Sequence, residues 1–162
     1  MDDTSFIATG ELGKLAKWIR VLGYDCVYHG RGKESDLIMR ALRDRRVLLT
    51  RTGRLTRYRG LRVIVVRKDN VEDRIEQVVE ELGLPVDAEE LFRRCVKCNS
   101  VLSDVKKRDL KGKVPEYVFD TQNEFRQCPQ CGKIFWKGTH WDNVERKFKQ
   151  LRAKVARATG GQ

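Results

Sequence analysis

The chain has 162 residues, 40% of them apolar, enough for one medium-sized core with a smaller module beside it and too many for wholesale disorder. Its longest apolar runs, such as Val63 to Val66, are far too short to span a bilayer, so no membrane partner is expected. Thirty-four Lys and Arg against 23 Asp and Glu leave a net charge of +11, an imbalance that surface ion-pair networks do not explain and a polyanionic partner would.

Phe6 to Ala8 reads as a short buried strand, broken by Gly10. Apolar residues at 12, 15, 16, 18, 19 and 22 then recur with the period of an amphipathic helix. Lys14, Lys17 and Arg20 fall on its other face, and Gly23 stops it. Residues 25–28 form a second short strand. Ser35 is the expected N-cap of a helix over 36–44, with Leu37, Ile38, Ala41 and Leu42 facing inward. Val47 to Thr50 is a continuous apolar strand of the kind that parallel sheets bury on both faces. A basic turn and short helix over 51–58 follow, then a strand over 62–66, then a helix over 71–82 capped by Asn70 and ended by Gly83. This alternation predicts an α/β fold over residues 1–88, three layers around a mainly parallel sheet.

Residues 84–90 are the expected hinge to a second module over 89–140. Two Cys-x-x-Cys pairs, Cys95/Cys98 and Cys128/Cys131, place four thiolates on two tight knuckles, a full tetrahedral set for one structural Zn²⁺. With no secretory signal in Met1 to Phe6, a reducing cytoplasmic location is expected, which favours zinc over disulfides. This module reads as a zinc ribbon, with a strand expected over 114–119. Residues 141–162 read as a C-terminal basic helix and tail, whose Val144, Phe148, Leu151 and Val155 make one packing face.

Three groups of residues also carry a resemblance. They are Leu12 to Asp25, Val47 to Arg51, and the ribbon pattern Cys95-x-x-Cys98-Asn99 with Cys128-Pro-x-Cys131-Gly and Trp136-x-Gly-x-His140-Trp141. Together they resemble the Mut-seven C-terminal RNase domain family, a PIN-like nuclease fold joined to a zinc ribbon. The resemblance implies Mg²⁺ or Mn²⁺ held on carboxylates at strand ends, where the metals ionise a water and neutralise the scissile phosphate. In the family pattern one acid closes the first strand, where this sequence has Thr9. Another follows the Val47 to Arg51 segment, where it has Thr52. The acid opening the second helix is kept as Asp36, with Glu34 beside it.

A neutral hydroxyl is a poor Mg²⁺ ligand without carboxylates alongside, so tight Mg²⁺ or Mn²⁺ binding is not expected and no catalytic residue is assigned. Asp36 and Glu34 stand as residual acids, and Glu11 or Asp69 could complete a rearranged site in an active Mg²⁺- or Mn²⁺-dependent endoribonuclease. The leading expectation is instead an RNA-binding protein that has kept the grip of a nuclease and lost its chemistry, as a ribosomal or ribosome-associated component. Its partner would be ribosomal RNA or another ribonucleoprotein, with no small-molecule ligand. A third option is a scaffold whose cleft binds protein. Candidate phosphate contacts are Lys14, Arg20, Arg51, Arg54, Arg57 and Arg59 on the first module. Lys106, Lys107, Arg108, Lys137 and His140 follow on the ribbon, and Arg146, Lys147, Lys149, Arg152 and Lys154 on the last helix.

Overall fold

The computed structural model describes residues 3–161. Four strands, β1 (Phe6–Thr9), β2 (Cys26–His29), β3 (Val47–Thr50) and β4 (Val63–Val65), form a sheet in the order β2-β1-β3-β4 with every pairing parallel. The crossovers α1 (Gly13–Val21) and α2 (Glu34–Arg43) link the first three strands, and α3 (Val71–Leu82) follows the fourth. Parallel neighbours need such long returns, which is why strand and helix alternate in the sequence.

The pleat divides the core. Phe6, Ala8, Val47, Leu49 and Ile64 pack with α1 and α3, while Ile7 and Leu48 pack with Leu37, Ile38 and Ala41 of α2. Helices on both faces of the sheet give the three layers. Asn70 caps α3 by accepting the Asp73 N–H at 2.8 Å. The expected cap of α2 is different: α2 begins at Glu34 with Lys33 in the cap position and no side-chain cap bond, so Ser35 lies inside its first turn.

The second module is a three-stranded antiparallel sheet, β5 (Ser103–Val105), β6 (Phe125–Gln127) and β7 (Ile134–Trp136), in that order. Residues 114–119 do not form the expected strand. Pro115 stands before a short helix, α4 (Glu116–Thr121), which turns Val118 into a small core with Leu110 and Phe125. Proline has no N–H to give a ladder and tolerates a helix start, so the same apolar pattern folds the other way.

The last helix, α5 (Thr139–Thr159), lays Val144, Phe148 and Leu151 into the core shared with α1 and α3. The segment between the modules is tied down as well. Tyr24 donates its hydroxyl to the Pro85 carbonyl at 2.7 Å, and the Phe92 N–H donates to the Val21 carbonyl at 2.8 Å. Gly23 permits this approach: its φ is +96°, and a Cβ there would stand 2.6 Å from the Glu90 carbonyl oxygen.

Both edges of the parallel sheet are covered by side chains. At β2, Asn99 Oδ1 accepts the Cys26 N–H at 3.0 Å and Arg20 Nε donates to the Cys26 carbonyl at 2.9 Å. At β4, Gln77 Nε2 donates to the Val65 carbonyl at 2.9 Å and its Oε1 accepts the Arg67 N–H at 3.0 Å. An edge strand otherwise offers a row of unpaired backbone groups.

Candidate metal centre and nucleic-acid interface

The two Cys-x-x-Cys segments fold as matched knuckles. In the first, the Asn99 N–H donates to the Cys95 carbonyl and the Cys95 N–H to the Ser100 carbonyl, both at 2.8 Å. In the second, the Gly132 N–H donates to the Cys128 carbonyl and the Cys128 N–H to the Lys133 carbonyl, both at 2.9 Å. The Cys98 N–H points at Cys95 Sγ and the Cys131 N–H at Cys128 Sγ, each at 3.4 Å. Asn99 and Gly132 sit at the same turn position with φ of +68° and +76°, a conformation that asparagine and glycine tolerate best.

The four Sγ atoms lie within 4.8 Å of one another, and Cys95 and Cys131 Sγ are 3.8 Å apart. A tetrahedron with Zn–S bonds of about 2.3 Å has sulfur–sulfur edges of about 3.8 Å, so the donor set fits such an ion. Hydrogen bonding with Cys131 pushes the Cys98 thiol up to about 12, while the Lys133 backbone N–H draws Cys131 down to about 7. Ionised together, four thiolates this close would repel, and a bound metal ion would offset that cost. The group could hold a metal ion such as zinc.

The first knuckle is fastened to the α/β sheet. Arg20 is buried, and beyond its bond to Cys26 its Nη1 donates to the Val96 carbonyl at 2.8 Å and the Lys97 carbonyl at 3.2 Å. Asn99 Nδ2 donates to Asp25 Oδ1 at 2.7 Å, and Arg94 donates to the Gly23 and Asn99 carbonyls. The expectation of Arg20 as a surface phosphate contact is therefore corrected: its guanidinium is spent on backbone carbonyls in the interior. Burial opposes ionisation of Asp25, but hydrogen bonds from Arg46 and Asn99 and the charges of Arg46 and Arg94 outweigh it and hold its carboxyl below the usual range. Burial pushes the neighbouring Cys26 thiol up to about 12.

The residues expected at the nuclease-like cleft lie at the C-terminal ends of the parallel strands. β1 pairs with β2 on one side and β3 on the other, so the order in which strands are added reverses there, the place where open α/β sheets bind ligands. Thr9 closes β1 and donates its hydroxyl to the Leu49 carbonyl across the β1/β3 seam at 3.3 Å. Thr52 Oγ1 accepts the Arg54 N–H at 3.3 Å, capping a short 3₁₀ turn (Gly53–Arg57), and its own N–H donates to Thr50 Oγ1. Glu34, opening α2, is ion-paired with Arg54. Arg51 donates to the Val66 and Lys68 carbonyls and approaches Asp69 at 3.4 Å. Asp36 and Glu11 are exposed. Among the described residues, the four cysteines are the one group of three or more ligand side chains gathered this closely.

The remaining expected phosphate contacts divide by their partners. Lys14, Arg59, Lys106 and Arg108 are exposed, and Arg57 lies against the Tyr58 ring at 5.2 Å. Lys107 reaches Asn123, and Lys137 pairs with Glu124. On α5, Lys147 and Lys154 pair with Glu72 and Glu76 of α3, Lys149 with Glu145, and Arg152 donates to the Val86 carbonyl. Arg146 and His140 are exposed near the start of α5. Much of that helix's charge thus binds the fold itself. The latch made by Asp25, Arg94 and Asn99 was not marked as a site by the sequence, where its one signal was Asn99 directly after the second cysteine.

The family model described as "Mut7-C RNAse domain" matches residues 4–148, which takes in the sheet, the ribbon and the start of α5. The chain belongs to this family. Comparison with curated proteins gave no match, and neither did comparison with solved structures. The match spans both the α/β sheet and the cysteine module of this chain, whose knuckle and sheet share one set of hydrogen bonds. Within it, no helix of the described residues is long and apolar enough to cross a membrane.

Proposed function

We propose that this protein binds RNA without cleaving it, and that its setting is a ribonucleoprotein particle, the ribosome foremost. The observation that carries the reading is the ion pair between Glu34 and Arg54 at the C-terminal edge of the sheet. Glu34 is one of the two acids left at the place where the family resemblance expects a metal, and an arginine neutralises it. Thr9 and Thr52, standing where that resemblance expects acids, spend their hydroxyls on a carbonyl and a backbone N–H. Arg57 lies close enough to Glu34 for their charges to interact and adds positive charge to the same rim. An RNA phosphate meets attraction there, with few carboxylates to recruit Mg²⁺. The four cysteines hold one structural Zn²⁺ in this reading, and that ion braces the fold rather than acting on substrate.

A second reading has one observation in its favour. Asp36, in the first turn of α2, is exposed and forms no ion pair with any basic residue among the described ones, so its carboxylate is open to a Mn²⁺ ion. One experiment separates the two. Purified protein is incubated with a mixed pool of labelled RNAs in Mg²⁺ and then Mn²⁺, and binding and cleavage are followed in the same samples. Salt-sensitive binding with intact RNA supports the proposal. Cleavage that EDTA stops and Asp36→Asn abolishes establishes the nuclease. Co-sedimentation with ribosomal particles at low salt tests the setting, and migration at the top of the gradient counts against it.

A further inference from the structure

A trench runs along the junction of the ribbon with α1 and α5, on a different part of the molecule from the C-terminal edge of the sheet. Its wider part is a cavity of about 460 Å³ floored by Trp18, Phe135 and Trp136, with Lys17, Lys133 and His140 at its rim. It continues past Trp18 and His140 into a second cavity of about 460 Å³ bordered by Asn143, Arg146 and Lys147. Neither part has an acidic residue in its lining.

The aromatic rings are half-buried, and Lys17, Lys133 and His140 stand exposed around them. Lys133 lies 5.5 Å from the Phe135 ring centre and Lys147 lies 5.6 Å from that of Trp18. Lys147 is partly neutralised by Glu72 at 3.2 Å, which leaves Lys17, Lys133 and Arg146 as the positive rim. A cavity of this size suits a small planar group rather than a helix or a folded surface. Aromatic faces below and cations above are the two parts with which proteins hold single-stranded nucleic acid: bases stack, phosphates pair, and no base edge need be read. An apolar peptide would satisfy the floor and leave the cationic rim without a counter-charge.

We infer that this trench is a second RNA site, in which unpaired bases of a single strand stack on Trp136 and Trp18 while Lys17, Lys133 and Arg146 take the flanking phosphates. The inference rests on the RNA-binding reading above and adds to it a substrate form, single-stranded rather than duplex, and a location. A duplex keeps its bases stacked on each other and offers none to the trench.

The test uses the full, metal-loaded chain and three probes: a twelve-nucleotide oligouridylate, an abasic oligomer of equal length, and a duplex of equal phosphate count. Two of the three tryptophans, Trp18 and Trp136, lie on the floor. The oligouridylate is expected to quench tryptophan fluorescence, and the abasic oligomer is not. Trp136→Ala should weaken oligouridylate binding about tenfold, from roughly 1–3 kcal/mol per stacked base, and leave abasic binding unchanged. Trp136→Phe should restore most of the loss. Should Trp136→Ala fail to fold, the exposed double change Lys17→Glu/Lys133→Glu is expected to weaken oligouridylate binding by at least as much. Full binding in those variants, with loss only on Arg57→Glu/Arg59→Glu, overturns the trench and leaves the RNA-binding reading standing. Failure of wild-type protein to bind any of the three overturns both.

Discussion

Asn99 and Asp25 are joined by a hydrogen bond of 2.7 Å, from Nδ2 of a knuckle residue to a carboxylate beside the edge strand of the sheet. The same amide accepts the Cys26 N–H through Oδ1, so one side chain links the cysteine module and the α/β layer twice. Asn99→Ala removes both bonds, leaves a part-buried N–H unpaired, and puts alanine at a φ of +68° that asparagine tolerates better. The expected loss is about 1–3 kcal/mol in urea denaturation. Asn99→Gly relieves the backbone alone and should recover only part of it.

Metal removal should act beyond the ribbon. Arg20 donates to the Val96 and Lys97 carbonyls, whose positions follow from the shape of the Cys95–Cys98 knuckle. A strong chelator is expected to raise amide exchange across 95–101 and also at Cys26, because the residues covering that N–H move with the knuckle. Exchange that rises in the ribbon alone would show that the latch survives without metal.

Acid should weaken the same junction. The Asp25 carboxyl titrates below its ordinary value of 3.8 in the folded chain, so its contribution to stability is complete above that value and is lost as pH falls through the lower, folded one. Asp25→Asn is expected to be less stable than wild type at neutral pH. The difference should shrink as pH drops below about 4, as read by thermal unfolding across a pH series.

The cysteines should react in two classes. Cys26 is wholly buried with its thiol pushed up to about 12, so it holds almost no thiolate at neutral pH. Iodoacetamide on the folded, metal-loaded chain should spare all five thiols. After chelation Cys95, Cys98, Cys128 and Cys131 should be alkylated first and Cys26 last, with peptide mass mapping as the readout.

Charge reversal at the exposed Arg57 and Arg59 should reduce RNA affinity and the salt dependence together. Arg57→Glu/Arg59→Glu removes two candidate phosphate contacts, and the slope of log K against log salt should fall by about 1.4 for a single strand. An unchanged slope would move the contacts elsewhere.

The α/β layer was legible because its signals are local. Apolar runs with period 2 or 3.6, Asn70 before α3 and Gly83 after it, and the two Cys-x-x-Cys pairs each report structure within a few residues. What stayed hidden depends on distant partners. Arg20 has the same composition signal as Lys17, yet the knuckle carbonyls 76 and 77 residues on draw it inward while Lys17 remains outside. Residues 114–119 are rich in β-branched and aromatic side chains that favour a strand, but Val118 finds its core as part of a helix with Leu110 and Phe125. The cysteine cluster that could hold a metal ion was readable from spacing; what holds its first knuckle to the sheet was not.

The cover on β2 also imposes an order on synthesis. The four-stranded sheet is complete in sequence at Val65, while the residues that close its outer edge and the helix that seals α1 and α3 come later. At roughly 5–20 residues per second, some thirty residues separate a finished sheet from Asn99 by about 2–7 s. Through that interval the nascent chain carries an open strand edge, and it closes only after the first pair of cysteines has left the exit tunnel.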